Sequence, residues 1–310
     1  GNPYYDRYQA TNYGFDMSMN GGYTHYLWYN YYPLIKKSNE VIGAAGDQED
    51  MIEYRAISKA FRALIYLDLA RYYDALPAKA PELPTYEGDL VKVKELTVPI
   101  VTENTTEEAA KNNPRATREE LFTFILADLA DAEAIMKRFE LDATTGEIEL
   151  KATVYGTTPT YPDLAAVYGL YARAYLWLGG FDDVTYENVP TGEAAYRLAA
   201  EYARKSIDAA GGAIMTNAPI TSENEWTNIN TAFNTVIPSW MWATTLSSDT
   251  VLNNLFAFVA HMCPEASFGY APLACPGVSS GMYDRMRSTD FRKKLIIGPN
   301  TSYDEFKSYT

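Results

Sequence analysis

Residues 26–42 read Tyr26-Leu27-Trp28-Tyr29-Asn30-Tyr31-Tyr32-Pro33-Leu34-Ile35-Lys36-Lys37-Ser38-Asn39-Glu40-Val41-Ile42. Leu27, Tyr31, Leu34, Ile35, Ser38, Val41 and Ile42 recur at helical spacing, which predicts a helix from about Tyr26 to Ala45, with Gly43 and Gly46 marking its exit. Asp47 is placed to cap a second helix over about 48–73, whose stripe is Ile52, Ala56, Ala60, Phe61, Leu64, Leu67 and Leu69. That helix must stop near Tyr73, because Pro77 disfavours helical backbone just upstream. Two amphipathic helices in succession, joined by a short glycine-bearing link, have apolar faces that only packing can bury.

The same pattern returns further along. Thr117-Arg118-Glu119-Glu120 is a capping box, followed by Leu121, Phe122, Ile125, Leu129, Ala132 and Met136. Asp163 opens a helix carrying Val167, Leu170, Tyr171, Ala174, Tyr175 and Leu178, closed by Gly179-Gly180. Thr191 or Gly192 opens its partner, with Ala195, Leu198, Ala199, Tyr202, Ala203, Ile207 and Ala210, closed by Gly211-Gly212. Between these elements, residues 77–116 hold five prolines and form a long excursion, and Asp142–Lys151, with Gly146 inside it, suits a small hairpin. Residues 1–24 are rich in Tyr and Gly without clear period, and beyond Asn217 the helical signal weakens into a loop-rich, tryptophan-bearing region. The fold class expected is all-α: tetratricopeptide-like helix pairs, 26–45 with 48–73 and 163–178 with 192–210, in an αα superhelical scaffold with long irregular insertions.

Composition restricts the chemistry. The 310 residues carry 26 basic and 40 acidic side chains, a net charge of −14, which disfavours duplex nucleic acid or an anionic membrane surface as partner. Two histidines, His25 and His261, leave no room for a His-rich metal centre, and two cysteines exclude a disulfide framework or a four-thiolate zinc site. Cys263 and Cys275 lie 12 residues apart in a Pro/Gly-rich stretch, a spacing compatible with a single disulfide or with free thiols. Gly277-Val278-Ser279-Ser280-Gly281 matches a nucleophile-elbow pattern, yet Pro272 and Pro276 just before it are incompatible with the central strand that motif needs. No phosphate-binding glycine loop, His-Glu-x-x-His, Cys-x-x-Cys or EF-hand sequence occurs, so no cofactor is expected, although acidic loops lacking a motif leave a bound calcium ion open.

Twenty-six Tyr and 5 Trp exceed what a core needs, since each buried Tyr hydroxyl must find a partner. Aromatic rings beside Asn and Asp suit a saccharide, whose C–H face stacks on a ring while its hydroxyls need directional partners. On that ground the candidate glycan-binding residues are Tyr23, Tyr26, Trp28, Asn30, Trp226, Asn228 and Tyr270. Trp28 also has core-like neighbours at helical spacing, which makes it a packing residue by the competing reading. Carboxylate pairs keep a glycoside hydrolase as an alternative, and the paired helices keep a protein-interaction adaptor as another.

Five blocks in order resemble the SusD/RagB family of surface glycan-binding lipoproteins of Bacteroidetes. They are Trp28-x-x-Tyr31-Tyr32-x-x-Ile35-x-x-x-Asn39; Ala60-Phe61-Arg62-Ala63-x-x-Tyr66-x-x-Leu69, leading to Tyr72-Tyr73-Asp74-Ala75-Leu76-Pro77; and Arg115-x-Thr117-x-x-Glu120-x-Phe122-x-x-Ile125-x-x-Asp128-Leu129-x-x-Ala132. Tyr171-Ala172-Arg173-Ala174-Tyr175-Leu176 and Asp290-Phe291-Arg292 complete the set. Asp74 stands where the family usually has Gly, and the family's Arg/Glu-rich helix, terminal segments and lipidated N-terminal Cys have no counterpart here. The resemblance implies a non-catalytic binder, lipid-anchored at the cell surface on the outer membrane, that delivers oligosaccharides to a SusC-like TonB-dependent transporter. It also implies one SusD-like domain over 1–310, incomplete at both ends, with the helix-pair scaffold over about 26–211 and a loop-rich ligand-facing region over about 212–310.

Overall fold

The structure, a computed structural model, describes residues 22–74, 95–211, 241–243, 280–290 and 293. The chain divides into two compact units, Gly1–Gly212 and Ala213–Thr310. Seven helices lie among the described residues: α1 (Gly22–Ala45), α2 (Ile52–Tyr73), α3 (Glu107–Lys111), α4 (Arg118–Lys137), α5 (Leu164–Gly179) and α6 (Gly192–Ala209) in the first unit, and α7 (Ser280–Arg285) in the second. Helix α1 packs on α2, α2 on α4, α4 on α5, and α5 on α6, with α2 also reaching α5. This sequential stacking is the paired-helix scaffold that periodicity predicts, and the fold among the described residues is all-α. None of these helices is long and apolar enough to cross a membrane.

The core forms where the stripes meet. Ile35 and Ile42 of α1, Ala56, Ala60, Ala63, Leu67 and Leu69 of α2, Leu121, Phe122, Ile125 and Leu129 of α4, and Val167, Leu170, Ala174 and Leu178 of α5 are all buried. Alanines on α2 let its neighbours approach closely, while the larger side chains of α4 fill the space between α2 and α5.

Local capping explains where helices begin. Thr117 accepts the N–H of Glu120, whose carboxylate accepts the N–H of Thr117, so the predicted capping box closes in both directions. Asp163 accepts the N–H of Ala166 at 2.8 Å and starts α5 as expected. Helix α2 departs from expectation: it begins at Ile52 behind Met51, and Asp47 instead forms an ion pair with Arg55. Helix α1 begins at Gly22, ahead of the predicted Tyr26, and continues through Pro33. The expected hairpin over 142–151 reduces to one bridge, Leu141 with Ile148. Asp142 Oδ1 accepts the N–H groups of Thr144 and Thr145, both at 2.7 Å, and turns the chain too tightly for a longer ladder.

The described end of the long excursion lies along the first helix pair. Tyr32 donates to the Pro99 carbonyl at 2.8 Å, Asn39 Nδ2 to Val101 at 3.0 Å, and the Val101 N–H to the Tyr66 hydroxyl at 2.7 Å. Val98 is fully buried beneath this row.

Candidate functional site

The sequence-predicted site residues fall in three places. Tyr23 and Tyr26 lie in the opening turns of α1. Trp28, half-buried, stacks against Tyr32 at 4.4 Å between ring centroids and meets Tyr73 of α2 edge-on at 5.5 Å. Its ring thus lies between α1 and the end of α2, with part of it left exposed. Asn30 is exposed and lines a groove between α1 and α2. Trp226, Asn228 and Tyr270 lie outside the described residues, as do Cys263, Cys275 and Ser279.

The groove is open and encloses about 640 Å³, within the range of small-ligand sites. Leu27, Tyr31 and Leu34 recur at i, i+4 and i+7 on α1 and supply one wall; Phe61, Leu64 and Ile65 of α2 supply the other. Polar groups sit at its margins. The Tyr31 hydroxyl donates to Asp68 Oδ2 at 3.4 Å, and Arg173 of α5 donates to Asp68 Oδ1 at 3.0 Å. Partial burial, then the Asp68 charge, pushes the Tyr31 phenol above its ordinary value, so it stays a protonated donor. A half-exposed tyrosine ring edged by an amide, a carboxylate and a guanidinium can pack the apolar face of a ring and orient its hydroxyls.

Beside this groove the charged residues of the resembling blocks are structural. Arg62, 1% exposed, meets Asp128 through Nε and Nη2, while its Nη1 donates to Asn39 and to Glu103, each at 2.6 Å. Burial alone would push Glu103 up, but the Arg62 hydrogen bond and charge outweigh it and hold the carboxyl below its usual range. Asp131 behaves likewise: burial opposes, and Lys59 and Arg55 prevail. Among the described residues no group of three or more His, Cys, Asp or Glu could hold a metal ion.

A tyrosine cluster that sequence reasoning did not single out lies between α5 and α6. Tyr171 stacks on Tyr202 at 4.4 Å, Tyr175 lies 5.6 Å from Tyr202, and the Tyr168 hydroxyl donates to Glu133 at 3.3 Å. Burial first, then the neighbouring Tyr202 and acidic charges, pushes the Tyr175 phenol up to about 12. The signal was present as Tyr168, Tyr171 and Tyr175 at i, i+3 and i+7 on one helix face. Part of the tyrosine excess thus fills the seam between helices.

The stacked helices with long interposed segments define a class: the fold is that of SusD-like proteins. A SusD-like carbohydrate binding protein from Bacteroides vulgatus superposes with a TM-score of 0.54 at 18% identity, over 87% of this chain and 46% of that one. A SusD-like protein from Bacteroides fragilis gives a TM-score of 0.56 at 16% identity, over 90% of this chain and 45% of its own. The chain spans about half the length of these solved structures, and at such identity the likeness is one of fold. No family model matches the chain, and no curated protein is significantly similar to it in sequence.

Proposed function

We propose that this chain is the scaffold-bearing part of a cell-surface glycan-binding protein that captures oligosaccharides without breaking a bond. It passes them to a SusC-like TonB-dependent transporter at the outer membrane, where an N-terminal lipid holds it. The observation that carries this reading is the SusD-like fold, matched over 87% of the chain by a protein described as carbohydrate binding. The abundance of aromatic side chains and the amide- and carboxylate-edged groove beside Tyr31 support it.

In this reading the candidate glycan contacts are Tyr23, Tyr26, Trp28 and Asn30 in the first unit and Trp226, Asn228 and Tyr270 in the second. Residues 1–310 act as one SusD-like domain, with the scaffold over about 26–211 and the ligand-facing loops beyond. An open platform excludes little water, so dissociation constants in the μM to mM range follow, about −8 to −4 kcal/mol.

Electrophoresis through gels containing individual polysaccharides tests the reading. Retardation by one glycan, lost in Trp226→Ala with an unchanged helical spectrum, is the expected result. Steady release of reducing ends, abolished by one acid-to-amide change, would replace the binder with a hydrolase. Stable association with a transporter and no sugar affinity would replace it with an adaptor.

A further inference from the structure

The groove between α1 and α2 has two unlike ends. The helices run antiparallel, since Trp28 meets Tyr73, Tyr31 meets Asp68 and Asn39 meets Arg62. Tyr31 and Asp68 therefore mark one end, and Lys37, Ser38 and Phe61 the other, with Leu34, Leu64 and Ile65 between them. From Tyr31 to Lys37 the helix rises about 9 Å, a length that suits a disaccharide.

Charge is not balanced along it. Asp68 is the one carboxylate among the described residues that line the groove, and it is matched by Arg173 at 3.0 Å and Arg71 at 3.9 Å. Lys37 is exposed and makes no ion pair with a described residue; Glu40, one turn further on, pairs instead with Lys36 at 3.8 Å. The groove is thus locally cationic on a chain whose net charge is −14. Exposed charges more than about 10 Å away are largely screened at 0.1 M salt, so a short ligand responds to the local sign.

Ser38 adds an independent observation at the Lys37 end. It lines the groove, is only 8% exposed, and its hydroxyl has no hydrogen-bond partner among the described residues. A buried hydroxyl left unsatisfied costs stability, and a polar ligand group in the groove completes it.

We propose, resting on the glycan-binding reading, that this groove takes an acidic saccharide whose oxyanion, a carboxylate or a sulfate ester, is held by the Lys37 ammonium and the Ser38 hydroxyl. The ammonium supplies a charge-assisted hydrogen bond, and the hydroxyl donates a second. The C–H face of the acidic ring packs on Phe61 and Leu34, while the next ring reaches the Tyr31 hydroxyl at the far end.

Isothermal titration of the full chain with digalacturonate, its dimethyl ester, neutral galactobiose and a sulfated galactan disaccharide tests this. Digalacturonate is expected to bind at least about tenfold more tightly than its ester or galactobiose, the ratio that one charge-assisted contact supplies. If the sulfated disaccharide shows that preference and the uronate does not, the oxyanion is a sulfate ester. Lys37→Met should erase the preference and leave galactobiose unaffected, and Lys37→Arg should keep it. Ser38→Ala should weaken the acidic disaccharide about threefold without lowering the thermal midpoint, because it removes an unsatisfied buried group. A lower midpoint with unchanged binding would make Ser38 a packing residue and overturn its role. Acidic and neutral disaccharides binding alike overturns the proposal and leaves the glycan reading standing. An acidic preference untouched by Lys37→Met overturns it too, and no binding of any saccharide overturns both.

Discussion

Arg62 of α2 and Asp128 of α4 face each other through two parallel hydrogen bonds, Nε to Oδ2 at 2.7 Å and Nη2 to Oδ1 at 2.8 Å, with both side chains almost fully removed from water. The pair sits in the α2–α4 seam, and Lys59, 3.5 Å from Asp128, adds a second cation. A buried ion pair gains little over apolar packing, but breaking one strands a charge.

Asp128→Ala is accordingly expected to cost about 3–5 kcal/mol, because Arg62 would keep only Asn39 and Glu103. The double variant Arg62→Met/Asp128→Leu should recover most of that loss. Urea titrations of the two variants decide it; a double variant as unstable as the single one would refute the account.

Acid should loosen the loop after α4. Burial raises the Glu53 carboxyl, but donation from the Thr153 hydroxyl at 2.6 Å and from the backbone N–H groups of Tyr155, Val154 and Thr153 outweighs it, so its folded pKa lies below its ordinary value. Glu103 and Asp131 are lowered too. A depressed folded pKa contributes stability that is complete above the unfolded value, about 4.3 for Glu and 3.9 for Asp, and that is lost as pH falls through the folded value. Asp163 has the opposite sign: burial raises it, so its charged form opposes folding at neutral pH and protonation relieves that cost. Glu53→Gln should flatten the acid limb of a stability-versus-pH curve measured by denaturant midpoint, and an unchanged limb would remove Glu53 from the explanation.

Thr117→Ala removes one side of the capping box and should lower stability by about 1 kcal/mol, with Thr117→Ser close to the parent. Calorimetric midpoints of the three proteins give the comparison.

Gly179 closes α5 against Tyr196 of α6. A Cβ there would lie 2.5 Å from ring carbons of Tyr196, so Gly179→Ala should cost about 1–3 kcal/mol. Adding Tyr196→Ala should return most of it, since that ring is 47% exposed and does little else for the core. A double variant no better than Gly179→Ala would place the constraint in the backbone instead.

Some of this was legible in the chain itself. Helix stripes, the Thr117–Glu120 box, the Asp163 cap and the glycine exits are read directly, because each depends on residues within one or two turns of one another. Asp47 shows the limit of such local reading: it precedes a helical stripe, yet the helix begins only at Ile52 behind Met51, and Asp47 pairs with Arg55 in its first turn. Within the candidate site, Asn30 is legible as a polar residue beside aromatics, whereas its place on a groove with Asp68 of α2 required two helices to pack, and the Arg173 partner of Asp68 comes from a third.

By itself, then, the sequence determined the all-helical character, the pairing of neighbouring helices and most caps, because those follow from the 3.6-residue period and from short-range hydrogen bonding. Only the tertiary structure decided which charges are partners. Asp74, at the position where the resembling family usually has glycine, proves to be half of a buried pair with Arg118, 44 residues on. Glu53 finds its donors a hundred residues away, at Thr153 to Tyr155. Such pairings come from the way α2, α4 and the following loop pack together, and burial then leaves each charge no alternative to the partner that packing brings within reach.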